Sequence, residues 1–154
     1  MLNRCYSEIE LIKYPTYRGC SVHPDWHNFQ NFAEWYYSQE YCDTDYQLDK
    51  DLLIDGNKIY SSETCTLVPA IINTLLLDCE ARRGDLPVGV CFNKQHGKYS
   101  SGIRIDGVRH HLGYFDNVSD AAEAYQKAKK HRIRTKALEW EGKIDKRVFD
   151  KLTS

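Results

Sequence analysis

The 154-residue chain has no run of about 18 consecutive apolar residues, so no transmembrane helix is expected. Its first ten residues, MLNRCYSEIE, lack the apolar core of a signal peptide. The six cysteines, at 5, 20, 42, 65, 79 and 91, stand singly, with no C-x-x-C. That spacing indicates neither a zinc ribbon nor a redox pair. An even count admits a disulfide framework, but without a leader the expectation is reduced thiols in a cytoplasmic protein. There is no short internal repeat and no low-complexity run. Asp49, Asp51 and Asp55 do not follow the spacing of a calcium loop, so turn and capping chemistry is expected of them.

A hydrophobic share of 42%, with 12% aromatic, can build a core in one ordinary domain or two small ones. The net charge of −1 hides a split. Residues 1–85 hold 7 Lys+Arg against 14 Asp+Glu, or −7; residues 86–154 hold 14 against 8, or +6. Such asymmetry suggests two modules with different partners, the basic one suited to a polyanion.

Residues 17–24 suggest a turn and a short strand. Phe29, Phe32, Ala33 and Tyr36 recur at helical spacing, which predicts an amphipathic helix over 27–38. Trp26, Phe29, Phe32 and Trp35 are expected in the core. The segment 48–68 suggests two short strands around the turn at Asp55-Gly56-Asn57. Pro69 suits the first turn of a helix whose apolar face, Ile71 to Cys79, runs on to Arg83. Gly84-Asp85-Leu86-Pro87 is the best boundary. Beyond it, strands are expected at 88–92, 99–105 and 108–115, then a helix capped by Ser119, then a short closing helix within 138–154. The expected class is α+β: a small ββα module over 1–84, and over 85–154 a three-stranded antiparallel sheet packed on a helix, with a helical tail.

Alternation sorts the second sheet into two faces. Tyr99, Ser101, Ile103 and Ile105 should face the helix; Lys98, Ser100, Gly102 and Arg104 should face away. In the third strand Val108, His110 and Leu112 alternate with Arg109, His111 and Gly113. Placing Leu112 in the core puts Arg109 and His111 beside Arg104. A β surface carrying guanidinium groups suits the DNA major groove, where arginine bonds guanine through two contacts and nearby lysines hold phosphates. The small residues at 100 and 102 would admit a close approach. The candidate DNA-binding residues are Lys94, His96, Lys98, Arg104, Arg109 and His111. The basic run from Lys127 to Lys136 is a further candidate for phosphate contact.

These residues carry a resemblance. Gly89-Val90, Gly97-Lys98-Tyr99, Ile103-Arg104, Leu112-Gly113-Tyr114-Phe115 and Ala121-Ala122-Glu123-Ala124-Tyr125 together resemble the APETALA2/ERF-type DNA-binding domain in its phage and homing-endonuclease form. The resemblance implies a three-stranded sheet lying in the major groove of double-stranded DNA with a helix behind it. Cys91 and His111 stand where that family often has arginine and tryptophan.

The stretch from Tyr17 to Asn73 is similar to the divergent His-Asn-His (HNH) endonucleases found beside such domains. That likeness rests on the tryptophan–phenylalanine helix, the Leu48-Asp49-Lys50-Asp51 segment, a turn, a tyrosine and an asparagine-bearing helix. It implies catalytic positions at Lys50, Asp49 and Asn73, with Thr64 near the middle asparagine, and a divalent metal, magnesium or manganese, beside Asp49 and Asn73. Lys50 takes the place of the general-base histidine. An amine with an ordinary pKa near 10.4 is a poor base at neutral pH. His23 and His27 are the nearest substitutes in sequence, with capping or surface roles as the alternative.

The expected function is therefore a phage or mobile-element DNA-binding protein, like an HNH homing endonuclease with cleavage weakened or lost. The alternative is a phage interaction protein that inhibits a host defence system or enzyme from the same scaffold. Its partners would be double-stranded DNA or a host protein, with no membrane; an oligomer is allowed.

Overall fold

The computed structural model describes residues 1–76 and 85–154. The expected continuation of the helix to Arg83, with Cys79, lies outside them, as does Gly84. The chain divides into two compact units: residues 1–74 with 137–154, and residues 75–136. No helix among the described residues is long and apolar enough to cross a membrane.

In the first unit, α1 (Leu2–Tyr6) and α2 (Glu8–Lys13) precede the two-residue strand β1 (Ser21–Val22). Asn28 then caps α3 (Phe29–Ser38), its side-chain oxygen accepting from Gln30 N at 3.0 Å. Strands β2 (Tyr46–Asp49), β3 (Ile59–Tyr60) and β4 (Thr66–Pro69) follow, and Pro69 leads directly into α4 (Ala70–Leu76). The strands on either side of the 55–57 turn do not pair with each other. Instead β1 pairs in parallel with β3, and β2 pairs antiparallel with β4, with Asp49 opposite Thr66. The intervening residues bring the chain back to an earlier partner rather than forming a hairpin.

Cys5, Cys20, Val22, Trp26, Tyr60 and Cys65 make the core of this unit, with Phe32, Trp35 and Leu48 packed against it. The Trp26 ring lies 5.2 Å from Phe32 and 4.6 Å from Trp35. Phe29, expected inside, is 70% exposed. It occupies the first position of α3, and the residues packed against the core start one turn later, at Phe32. Cys5, Cys20, Cys42, Cys65 and Cys91 are free thiols.

The tail, grouped by the sequence reading with the C-terminal module, belongs to this first unit. Tyr46 donates its hydroxyl hydrogen to the Lys143 carbonyl, and its ring meets Trp140 edge-on at 6.4 Å. Ile144, Val148 and Leu152 are buried, the latter two on α6 (Lys146–Thr153). Burying side chains of this size contributes roughly 1.5–3 kcal/mol each. That is why one short amphipathic helix anchors the segment.

The second unit holds the sheet β5 (Val90–Asn93), β6 (Lys98–Ile105) and β7 (Val108–Phe115), antiparallel throughout in the order β5-β6-β7. It packs on α5 (Val118–Glu139). The turn at Asp106-Gly107, with φ of 49° and 83°, closes the β6–β7 hairpin. The helix is capped by Asn117 rather than by Ser119. Asn117 Oδ1 accepts from Asp120 N at 2.8 Å, and its amide donates back to the Asp120 carboxylate at 2.9 Å. Ala121 and Ile103 lie in the core between the two layers.

Candidate nucleic-acid interface

Register decides which side chains of the sheet share a face. Arg104 lies directly opposite Arg109, Gly102 opposite His111, Ser100 opposite Tyr114, and Cys91 opposite Ser100. Opposed residues point to the same side. Lys98, Ser100, Gly102, Arg104, Arg109, His111, Tyr114 and Cys91 therefore form one surface, on the side away from Ile103. Arg104, Arg109 and His111 are exposed on it.

The pairing passes from Ser101–Gly113 to Gly102–His111, so Leu112 has no opposite number. This β-bulge shifts the alternation by one. Gly113, expected on the open face with Arg109 and His111, pairs with buried Ser101 on the helix side, and Tyr114 takes its place outside. The glycine within the strand is the signal that could have revealed the bulge.

The open face is already organised. His111 Nδ1 is hydrogen-bonded to Ser100 Oγ at 3.3 Å. The Tyr114 ring lies 4.6 Å from the His111 ring and 4.6 Å from that of His96. Arg109 crosses Gly102: a Cβ there would sit 3.1 Å from Arg109 Nε. The same guanidinium donates from Nη2 to Cys91 Sγ at 3.6 Å. The small residues at 100 and 102 thus make room for the protein's own His111 and Arg109, not for an incoming ligand. Lys98 is ion-paired with Asp116 at 3.0 Å. Lys94 and His96 are exposed in the β5–β6 turn, where Asn93 Oδ1 accepts from the backbone of Gln95 and His96. His110, opposite Ile103, is exposed.

Part of the basic run is structural. Arg132 donates from Nη1 to the Arg104 carbonyl at 2.6 Å and meets Asp106 at 3.4 Å, fastening α5 to the tip of the β6–β7 hairpin. Lys127 pairs with Glu123 one turn away. Lys130 and Arg134 are exposed.

In the first unit, the positions expected to cleave are committed to local bonds. Asp49 Oδ1 accepts from Asp51 N at 2.9 Å and Leu52 N at 2.7 Å, closing the turn after β2. Lys50, with 11% of its side chain exposed, donates to Asp51 at 2.8 Å and to the Asn57 carbonyl at 3.2 Å. Burial alone would lower its pKa; the hydrogen bond and charge of Asp51, with Cys20 and Asp49 adding, raise it above the ordinary lysine value. The amine therefore stays protonated at neutral pH. For Asp51, burial works upward, but Lys50 outweighs it and holds the carboxyl low. Burial lifts Asp49 despite its two backbone bonds. Thr64 donates to the Ile59 carbonyl at 2.7 Å and shares a hydrogen bond with Ser61.

Asn73, on α4, donates to Gln47 Oε1 on β2 at 2.8 Å rather than meeting Asp49. No group of three or more His, Cys, Asp or Glu that could hold a metal occurs among the described residues. The donor atoms expected for a metal are thus divided between two tasks, a turn for Asp49 and an amide pair for Asn73. His23 caps the short helix at 24–27, accepting from Asp25 N at 3.4 Å. His27 donates from Nε2 to the Val22 carbonyl at 3.2 Å and lies beside Tyr6.

Asn73 and His27 line one cleft of about 680 Å³, with Gln47, Arg4, Trp26 and Phe29 also on its wall. Lys50 and Asp49 are not among its described lining residues. Gln47 and Arg4 carry no motif signal; only the strand pairing brings Gln47 to α4. No family model, curated protein or solved structure matches the chain.

Proposed function

We propose that the chain is a phage or mobile-element protein that binds double-stranded DNA through the open face of β5-β6-β7, on the scaffold of an HNH homing endonuclease whose cleavage is weakened or lost. The observation that carries this reading is the direct opposition of Arg104 and Arg109 on an exposed face. A two-stranded ribbon fits the major groove, and arginine can bond both acceptors on a guanine edge. Lys94, Lys98 and His96 border the same surface, where phosphates of the groove walls would run. The loss of cleavage is supported by Lys50, a protonated amine tied to Asp51 where a base is needed.

Gel shifts with duplex DNA over a salt series test the binding. Arg104→Ala with Arg109→Ala should weaken it by about tenfold or more, since each well-formed base contact is worth ~1–3 kcal/mol. Equal affinity in that variant would remove the reading. Incubating supercoiled plasmid with magnesium or manganese tests cleavage. The native chain should leave it intact or nearly so, and Lys50→His should raise nicking.

A second reading, an interaction protein directed at a host enzyme or defence system, is favoured by Ile9 and Ile12 on α2. These are 76% and 72% exposed beside Glu8 and Glu10. Such residues are expected at a protein contact rather than in water. Copurification of a single host protein, lost on Ile9→Asp, would support it.

A further inference from the structure

We propose that the cleft in the first unit binds one nucleotide, with its base against Phe29 and the Gln47–Asn73 amide pair and its phosphate on Arg4. This goes beyond the sheet-face reading and does not depend on it.

Three features carry the inference. Asn73 Nδ2 donates to Gln47 Oε1, and this single bond uses one half of each amide. It leaves an acceptor, Asn73 Oδ1, and a donor, Gln47 Nε2, on neighbouring groups. A donor and an acceptor left over on two bonded side chains of one cleft can each take a polar atom of a base edge. Phe29 lines the same cleft with its ring largely in water, although it belongs to a helix that packs Phe32 and Trp35 against the core. An exposed flat ring in a cleft that also holds unspent amide groups offers a stacking surface for a base. Arg4 supplies a cation: its guanidinium lies 5.5 Å from the centre of the Tyr17 ring and donates to the Tyr17 hydroxyl at 3.3 Å. A guanidinium that spends one of its five donors this way retains others for a phosphate. The volume, about 680 Å³, falls in the range of roughly 300–1,000 Å³ usual for small-ligand sites. The cleft therefore combines the three elements needed to recognise a nucleotide: a flat ring, a paired polar edge and a cation.

The test is titration of the full chain with each deoxynucleoside 5′-monophosphate, read by tryptophan fluorescence, to which Trp26 in the cleft lining contributes beside Trp35 and Trp140. Saturable quenching is expected, with dAMP as the reference ligand. Asn73→Leu and Arg4→Gln should each weaken dAMP by roughly tenfold while circular dichroism stays unchanged. If one of them unfolds the chain, Phe29→Ser, at an exposed position, replaces it with the same expectation. A parallel arm compares an adenine-rich single strand with the matching duplex. Quenching by the monophosphate alone identifies a free nucleotide as the ligand, and quenching by the single strand as well identifies an unpaired nucleotide in a chain. Nucleotide binding should persist in Arg104→Ala with Arg109→Ala even where duplex binding is lost. The proposal is overturned by the absence of saturable quenching, by inorganic phosphate competing as well as dAMP, or by native affinity in the folded variants.

Discussion

Asp145 uses one carboxylate twice. It caps α6 by accepting from Arg147 N at 2.8 Å, and it holds the Arg147 guanidinium at 2.6 Å. The Arg147 side-chain bond keeps its carboxyl below the ordinary range, against the upward pull of burial. A depressed carboxyl contributes stability that is complete above its unfolded pKa, about 3.9, and is lost as pH falls through the folded value. Asp145→Ala should therefore cost about 1 kcal/mol at neutral pH. The gap between variant and native chain should close below about pH 4 in urea unfolding curves. Ser101 invites the opposite change. Its hydroxyl is wholly buried and has no partner among the described residues. Ser101→Ala should leave the chain as stable or raise its stability by up to about 1 kcal/mol, because a stranded polar group is removed. A clear loss of stability in thermal melts would mean that the hydroxyl has a partner.

Among the elements, Gly89 shows how closely strand and helix meet. Its φ is +78°, and a Cβ there would overlap the Tyr125 ring. Gly97 shares the positive φ, at +61°, but faces open space. Gly97→Ala should cost only the backbone strain, about 1–2 kcal/mol. Gly89→Ala should cost more than that, since the ring must also move; equal losses in urea unfolding would contradict the close contact. The β5-β6-β7 sheet and its helix were legible because strands with turn signals and a helix with an apolar stripe follow each other locally. The sides on which Arg104, Arg109 and His111 fall were legible too. Tyr114 and Gly113 were not, because a bulge breaks the period of two on which that reading rests. In the first unit the elements are short, and their pairings, β1 with β3 and β2 with β4, join distant residues. Neither the Gln47–Asn73 contact nor the docking of the tail on Tyr46 leaves a local pattern to find.

For the whole molecule, the charge split survives the regrouping of the tail. Residues 1–74 and 137–154 together hold 9 Lys+Arg and 15 Asp+Glu, or −6; residues 75–136 hold 12 and 7, or +5; the sum is the −1 of the chain. A polyanion should meet the second unit, and its binding should weaken steeply with salt. Lys94→Ala should lower the slope of log affinity against log salt by about 0.9, the value for one phosphate contact. Arg104→Ala should instead leave the slope nearly unchanged and relax discrimination between DNA sequences. Salt-independent binding would place the contact elsewhere.

Leu112 has a consequence for how this strand can change over time. Because it is the one residue of β7 without a counterpart on β6, its removal would leave every other pair intact, and Arg109 and His111 would keep their outward aim. Deleting His110, with His111 held in place, would turn Arg109 inward, toward the hydrophobic layer. Loss of Leu112 therefore preserves the cationic side of the sheet, whereas loss of His110, two positions away, would split it.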